Sequence, residues 1–395
     1  MKIAITTLAT CVAALLTLGL VMLYSSSMSM PDKTDKTRVN VVGANLLKTQ
    51  ATWCALGLVA CAIAASLDYR MLRKFAWPLF GLTVIMLIPL AVGALLKLPI
   101  PHLCKPVNGA WRWFNFGGIS FQPSELAKLA LIILLAWYCE RNQRQMHTWL
   151  RGIVFPAIII GIPLSLIFVE PDRGTTVLLA AVTGTMLLVA GVQWRYFIPP
   201  ILLAIVGLAF SLWHDPVRRS RIFSWLDLEE TKQGVGYQAD QAMIALGSGG
   251  WFGLGLGDGR QKLGFVPEHH TDFILSIIGE ELGLVATLGV ILAFVLIVIS
   301  GVYIATHARD TFGTMLATGI TFLIGLQAFV NIGVVTSALP NKGLALPFIS
   351  YGGSSLLAML GCVGLLFSVA RQGREGEART MNPFASGELP STQAS

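Results

Sequence analysis

Charged side chains are scarce in this sequence. Only 12% of its 395 residues are Asp, Glu, Lys or Arg, whereas 54% are hydrophobic. The chain is therefore too apolar for an ordinary soluble protein of its size. Its apolar runs are long and unbroken, as transmembrane helices require, and they lack the alternating segments of about ten residues that build a membrane barrel. The composition predicts an all-α, polytopic membrane protein.

Cysteine patterns and a basic domain are also lacking. The six cysteines include no C-x-x-C pair, and five of them lie in or at the edge of apolar stretches, which argues against a disulfide framework or a zinc site. The 28 Lys and Arg give a net charge of +7 but are scattered over short loops, which argues against nucleic acid as a partner. Membrane lipids with anionic headgroups, or a phosphorylated lipid, are the partners that we expect.

Ten apolar stretches predict about ten transmembrane helices. They cover residues 3–23, 52–67, 75–96, 123–138, 152–169, 175–192, 197–213, 272–300, 312–335 and 356–369. We interpret the first stretch as a retained helix, because further spans follow it and no clear small-residue cleavage site is present. Residues 1–370 are predicted to form one transmembrane domain and the polar residues 371–395 a disordered cytoplasmic tail. A large extracytoplasmic loop is predicted between helices seven and eight.

The short loops indicate the orientation of the chain. An even number of spans places both termini on one side. The compact loops after spans two and four each carry three basic side chains, namely Arg70, Arg73 and Lys74 in one and Arg141, Arg144 and Arg151 in the other. Because basic residues in short loops favour the cytoplasmic side, we expect both termini in the cytoplasm.

Ionisable side chains concentrate in residues 261–283, before and inside the eighth span. They include Glu268, His269, His270, Asp272, Glu280 and Glu281. A carboxylate at the bilayer centre costs about 2.5 to 3.5 kcal/mol, so such groups should face the protein interior or a wet cavity.

Asp272 has two interpretations that are compatible. It can cap the helix that follows, where the helix dipole stabilises a carboxylate by about 0.3 to 1 kcal/mol, or it can act as a general base. Glu280 lies about 12 Å further along the helix, too far to act on the same group. We expect Glu280 to form a structural ion pair.

Further polar candidates lie in the loops next to the spans. Arg112 stands between Trp111 and Trp113, in an aromatic cluster typical of a membrane interface, and a guanidinium there is a good phosphate ligand. Glu125 and Lys128 share one helix face, either as a local ion pair or with Lys128 directed at a substrate phosphate. Asp172, in the tight turn EPDRGTT, is either a solvated loop residue or the cap of the sixth helix lining a central cavity.

The two longest outer loops add basic and hydroxyl groups. Residues 214–271 contain Arg218, Arg219 and Arg221 and a glycine-rich part whose backbone N–H groups can approach an anion. Residues 337–357 contain non-helical, proline- and glycine-containing backbone that is tolerated near the membrane only if it is buried or lines a cavity. This loop is either a hydrophobic plug or a substrate contact with these donors: Lys342, Ser350, Tyr351, Ser354 and Ser355.

Several motifs together resemble the SEDS family of bacterial cell-wall proteins, the FtsW/RodA type. They are NGAWRW with QPSELAK, EPDRGTT, RRSRI with GYQ and GSGGWFGLGLG, PEHHTDFILSIIGEELG, and NKGLALPFISYGGSS, in this order along the chain. The last motif is closer to the FtsW branch, which acts in cell division, than to the RodA branch.

The resemblance implies a peptidoglycan glycosyltransferase of the bacterial inner membrane that polymerises lipid II at the septum. It implies a class B penicillin-binding protein transpeptidase and other division proteins as partners. The family's essential acidic residue maps onto Asp272, and its cavity Arg and Lys map onto Arg112 and Lys128. We expect the remaining substrate contacts to come from Gln122, Glu125, Asp172, Arg218, Arg221, Glu268, His270, Lys342, Ser350, Tyr351 and Ser354.

Two alternatives stay open at this point. A lipid II flippase would use the same polar cavity without forming a bond, and a non-enzymatic division scaffold would need no cavity chemistry. No cofactor is evident from the sequence. A divalent cation, Mg²⁺ or Mn²⁺, is conceivable because acidic residues near the site can hold one together with the substrate.

Overall fold

The structure, a computed structural model, describes residues 1–27, 39–97, 111–116, 119–214, 216–226, 234, 236–266 and 270–381. Within these ranges the chain forms twelve α-helices and one two-stranded sheet. The helices are α1 Lys2–Ser27, α2 Val39–Ser66, α3 Leu72–Leu96, α4 Pro123–Arg141, α5 Phe155–Val169, α6 Arg173–Val189, α7 Ile198–His214, α8 Pro216–Leu226, α9 Tyr237–Ser248, α10 Ile274–Thr306, α11 Thr311–Val335 and α12 Gly353–Met381. The strands are β1 Phe114–Phe116 and β2 Ile119–Phe121, paired antiparallel.

Each of the ten predicted spans corresponds to a helix, so the predicted all-α membrane fold is confirmed. Seven of these helices are long and apolar enough to cross a membrane: α1, α2, α3, α5, α10, α11 and α12. Helices α6 and α7 are shorter apolar helices, and α4 carries four charged side chains within its 19 residues. The loop between α7 and α10 contains the additional helices α8 and α9.

Close helix contacts depend on small residues, as is usual in membrane bundles. Helices α2 and α12 pack along each other, and a Cβ atom at Gly364 of α12 would lie 2.4 Å from the carbonyl oxygen of Cys61 in α2. Helix α11 packs against α4, α6 and α10 and is largely buried. The candidate site therefore forms around α11.

Both described ends of the chain lie at the same end of the bundle. The Met1 amino group lies 3.4 Å from the Tyr303 hydroxyl, near the end of α10. A Cβ atom at Gly373 in α12 would lie 2.6 Å from the carbonyl oxygen of His307. Arg73 also lies at this end, with ion pairs of 2.7 Å to Asp310 and to Glu140. We call this end of the bundle the terminal end.

The last helix is longer than the sequence predicted. Helix α12 continues to Met381, beyond the boundary predicted at residue 370. Residues 382–395 lie outside the described residues.

Two described aromatic residues of the loop before α4 pack onto the protein. Trp111 and Phe114 are buried and pack against Leu90 of α3. These two rings pack against other side chains of the protein and are not exposed on its surface. Their burial fixes the backbone on both sides of Arg112.

Candidate active site

Asp272 lies in a turn just before α10, and the loop 343–351 holds this turn by its backbone. Ser350 Oγ donates a hydrogen bond of 2.6 Å to the carbonyl oxygen of Thr271, and the Tyr351 N–H donates one of 3.0 Å to that of His270. The Asp272 carboxylate faces Gly343, because a Cβ atom there would lie 2.6 Å from Asp272 Oδ2. The loop thus fixes both the backbone and the surroundings of the proposed base.

A buried asparagine in α11 is hydrogen-bonded to the backbone of the same turn. Asn331 Nδ2 donates to the carbonyl oxygens of Asp272, at 2.8 Å, and of Leu344, at 2.7 Å. Its Oδ1 is buried and accepts no hydrogen bond from any described residue. Sequence reasoning missed Asn331, although a carboxamide inside an apolar span is a recognisable signal.

Lys128 of α4 contacts Gln327, which lies on α11 one helical turn before Asn331. Its Nζ is 2.8 Å from Glu125 Oε2 and donates a hydrogen bond of 3.0 Å to Gln327 Oε1. Gln327 Nε2 in turn donates to the carbonyl oxygen of Ala345 at 2.9 Å. The local ion pair considered from the sequence is therefore present, with Lys128 only 1% exposed. Gln327 and Asn331 are about 6 Å apart along α11, and they donate to neighbouring residues of one loop, Ala345 and Leu344. Lys128 and Asp272 are therefore linked to the same loop.

Arg112 lies above a second acidic group at the start of α6. Its Nη2 donates to the carbonyl oxygen of Pro171 at 2.5 Å, and its Nε is 4.0 Å from Asp172 Oδ2. About a third of the Arg112 side chain is exposed. It can therefore exchange its partner for a phosphate more readily than the buried Lys128.

Asp172 caps α6 and is not a solvated loop residue. It is 3% exposed, and its carboxylate accepts hydrogen bonds from the backbone N–H, at 3.2 Å, and the hydroxyl, at 3.0 Å, of Thr175. Gln122 Nε2 lies 3.4 Å from Asp172 Oδ2, and the Gln122 N–H donates to Ser354 Oγ at 3.3 Å. Gln122 thus joins the Asp172 cluster to the start of α12.

Glu170 is a buried acid that sequence reasoning did not single out. Burial, with a further contribution from the Asp172 charge, raises its pKa to about 9, and Arg112 opposes this rise. Glu170 is therefore neutral at pH 7, and Asp172 is the carboxylate that faces Arg112. The cluster adjoins the same loop as Asp272, because a Cβ atom at Gly174 would lie 3.2 Å from Leu344 Cγ.

The remaining loop candidates divide into structural and accessible groups. Ser350 is structural, since its Oγ also accepts from the Leu346 N–H at 2.8 Å. The Tyr351 ring lies 6.0 Å from the His270 ring. Lys342 is partly buried, burial lowers its pKa, and its ammonium group has no ion-pair partner among the described residues. Lys342 is thus a candidate for a negatively charged ligand.

Three predicted substrate contacts cannot be placed. Glu268 lies outside the described residues, and Arg218 and Arg221 belong to α8 but their side chains are not among those described. Within the described ranges, no group of three or more His, Cys, Asp or Glu side chains could hold a metal ion.

Backbone N–H groups in and after the glycine-rich loop donate hydrogen bonds to two carboxylates of this chain. The Gly257 N–H donates to Glu281 Oε2 at 3.1 Å, and the Arg260 N–H donates to Glu280 Oε1 at 2.7 Å. The expected ion pair forms at Glu281, whose Oε1 lies 2.6 Å from Lys262 Nζ, whereas the interactions of Glu280 are backbone hydrogen bonds. The anions that these backbone N–H groups approach are therefore carboxylates of the same chain.

Counted along the helices, Glu281 and the Asp272 contact Asn331 are at similar distances from the terminal end of the bundle. Glu281 is about 33 Å of helix from Tyr303, and Asn331, which contacts Asp272, is about 30 Å of helix from Thr311. Tyr303 and Thr311 flank the same turn at the terminal end. Because α10 is broken at Gly283, the rise of a straight helix does not give the difference in depth between Asp272 and the two glutamates.

The fold and the site define a class before any comparison is made. This is a multi-pass α-helical membrane protein with a polar site at the end of the bundle opposite the terminal end. Residues 6–375 match the model of the FtsW/RodA/SpoVE family, described as cell cycle proteins. The chain belongs to this family.

Relatives and solved structures agree with the assignment. The chain is 40% identical over 360 residues to a probable peptidoglycan glycosyltransferase FtsW of Geobacter metallireducens, covering 90% of this chain and 92% of that one. It is 36% identical to the protein of the same name from Pseudomonas fluorescens, covering 93% and 86%.

Two solved structures share the fold. One belongs to a peptidoglycan synthase complex described as coordinating polymerization and crosslinking, with a TM-score of 0.75, 27% identity and coverage of 93% of this chain and 97% of that one. The other is the rod shape determining protein RodA of Thermus thermophilus, with a TM-score of 0.66, 28% identity and coverage of 92% and 96%.

Proposed function

We propose that this protein is a peptidoglycan glycosyltransferase that polymerises lipid II into glycan strands, with Asp272 as the general base. One observation carries the proposal: the Asp272 turn, the buried Lys128 and the Arg112–Asp172 cluster all adjoin the loop 343–346. A carboxylate and two cations around one loop suit a reaction in which a hydroxyl is deprotonated while a pyrophosphate leaves.

The proposed step is an inverting displacement. The acceptor sugar hydroxyl attacks the anomeric carbon of the donor, its proton passes to Asp272, and the bond between that carbon and the pyrophosphate oxygen breaks. The products are the extended glycan, undecaprenyl pyrophosphate and a protonated Asp272, which releases its proton to water. No protein nucleophile is required.

The cations stabilise the leaving pyrophosphate in two different ways. Arg112 is partly exposed and has an ion-pair distance of 4.0 Å to Asp172, so it can bind pyrophosphate directly. Lys128 is buried and fixed by Glu125 and Gln327, so it acts on the charge that develops on the leaving group through a preorganised field. Lys342 adds a positive charge next to Gly343, which faces the base.

The family and the predicted orientation support a proposal for the cellular setting. We place the protein in the cytoplasmic membrane at the division septum, with both termini in the cytoplasm and the Asp272 site at the outer face. The position of Met1 and Gly373 at one end of the bundle supports a common side for the termini. A class B penicillin-binding protein is the proposed partner, together with other division proteins, in keeping with the similar chain in a synthase complex.

A polymerisation assay separates the proposal from its alternatives. Purified protein is given labelled lipid II in detergent or liposomes, with and without the cognate penicillin-binding protein and a chelator. We expect polymer from the wild type and none from Asp272→Ala. Transport of lipid II without polymer by the wild type would indicate a flippase. Full complementation of a deletion strain by Asp272→Ala would indicate a scaffold.

A further inference from the structure

A fully hydrogen-bonded ion pair lies away from Asp272. Lys262 is 3% exposed and Glu281 is completely buried. The three N–H groups of the Lys262 ammonium have three acceptors: Glu281 Oε1 at 2.6 Å, the carbonyl oxygen of Gly257 at 2.7 Å and Ser25 Oγ at 3.1 Å. The other oxygen of Glu281 accepts from Ser25 Oγ at 2.6 Å and from the Gly257 N–H. Every donor of the ammonium group is therefore satisfied.

This ion pair joins three separate parts of the chain. Ser25 is near the end of α1, Gly257 and Lys262 belong to the segment 249–263, and Glu281 belongs to α10. The segment also pairs with the α10 backbone: the Leu254 N–H donates to the carbonyl oxygen of Glu280 at 2.9 Å, and the Leu284 N–H donates to that of Gly250 at 2.9 Å. Lys262 thus connects α1 and the segment 249–263 to one short stretch of α10. We call this arrangement of Ser25, Lys262 and Glu281 the clasp.

The clasped stretch is where α10 is broken. Gly283 has φ 78° and ψ −173°, a conformation that only glycine adopts readily. A Cβ atom there would lie 2.4 Å from the backbone nitrogen of Gly253. The break separates the long membrane-crossing part of α10 from a short first part, residues 274–282.

The first part of α10 connects the ion pair to the proposed base. Residues 274–281 are all buried and helical, and Asp272 is two residues before the first of them. Glu281 is about 13 Å of helix from Asp272. A rigid helical segment therefore has the base at one end, held by Ser350 and Asn331, and the clasp at the other.

We propose that the Lys262–Glu281 ion pair is a positioning device: it fixes the break in α10 and thereby sets the place of Asp272 in the site. The inference rests on the proposed function of Asp272. Lys262 and Glu281 are positioning residues and do not touch the substrate. A buried ion pair is a costly way to hold a helix, but its directional hydrogen bonds specify one arrangement where apolar packing tolerates several.

The test compares Lys262→Met with a matched control, Arg73→Met. Arg73 forms its own ion pairs with Asp310 and Glu140, at the terminal end of the bundle. Two readouts are taken on purified full-length protein: hydrogen exchange of residues 272–282 without substrate, and kcat and KM for lipid II polymerisation. Glu281→Gln, which keeps the side-chain shape and weakens the pair, is measured in parallel in case Lys262→Met cannot be purified folded.

We expect faster exchange of residues 272–282 in Lys262→Met and a kcat that is lower by about 10- to 100-fold, since a shift of about 1 Å in a catalytic group can cost about 100-fold. KM should change little, because Arg112 and Lys128 are untouched. Arg73→Met should leave the exchange of this segment and kcat near the wild-type values.

Two results would overturn the inference: unchanged exchange of residues 272–282 in the Lys262 and Glu281 variants, or faster exchange with an unchanged kcat. A wild type that makes no polymer would refute the proposed function instead. In that case the exchange data alone would still show whether the ion pair fixes the segment.

Discussion

Lys128 admits both a structural and a catalytic interpretation, and one pair of variants separates them. In Lys128→Met, Glu125 stays buried without its cation and Gln327 loses a hydrogen bond. Both charged side chains are at least 92% buried, since their exposed fractions are 2% and 8%. We expect the variant to be unstable as well as inactive.

The magnitude follows from the burial of the pair. Removing one partner of a buried ion pair costs about 3 to 5 kcal/mol, mostly because the remaining charge is left uncompensated. In Glu125→Gln/Lys128→Met no charge is left over, so the free energy of unfolding should return to within about 1 to 2 kcal/mol of the wild type. If Lys128 also stabilises the leaving pyrophosphate, kcat of the double variant should stay about 100- to 1,000-fold low.

Melting curves of the purified proteins in detergent and polymerisation rates at equal concentrations of folded protein measure the two effects. Recovery of stability without recovery of kcat supports a catalytic role for Lys128. A double variant that recovers both would refute it and leave the Glu125–Lys128 pair a purely structural feature.

Two further predictions concern Glu170 and Gly343. Since the Glu170 pKa is raised from 4.5 to about 9, the folded protein holds a proton that the unfolded chain loses, and wild-type stability should fall as the pH rises from about 4.5 to about 9. Melting temperatures from pH 5 to pH 9 should decline less in Glu170→Gln, and an equal decline would assign the dependence to other groups. Gly343→Ala should lower polymerisation at least about tenfold, because the new methyl group displaces the Asp272 carboxylate and small misplacements are costly. Its control, Gly352→Ala, meets no atom closer than 3.7 Å and should keep its activity; equal activity of both variants would contradict the proposed contact.

Local patterns in the sequence predicted most of the helices. Apolar runs located all ten predicted spans, and Pro123 marks the start of α4. Asp172 stands just before α6 and caps it, as an aspartate at this position often does. The Glu125–Lys128 pair followed from helical spacing alone. These features involve residues close together in the sequence, where short-range geometry decides the outcome.

The features that sequence reasoning missed depend on distant contacts. Lys262 donates a hydrogen bond to Ser25, which is far away in the sequence. Backbone N–H groups of residues 257 and 260 donate to the carboxylates of Glu281 and Glu280. The heights of Asp272 and Glu281 could not be deduced, because the break at Gly283 requires a positive φ that spacing does not reveal. Asn331 left a visible signal, but its partners belong to two loops that only the fold brings together.

The central claim is that Asp272 is the base, and the kcat of Asp272→Asn tests it most directly. The carboxamide has nearly the same shape but cannot take the proton, so binding and folding should be preserved. We predict that the kcat for lipid II polymerisation falls about 100- to 10,000-fold, the contribution of a general base, with little change in KM and melting temperature. A kcat within a few fold of the wild type, in protein folded to the same extent, would contradict the account.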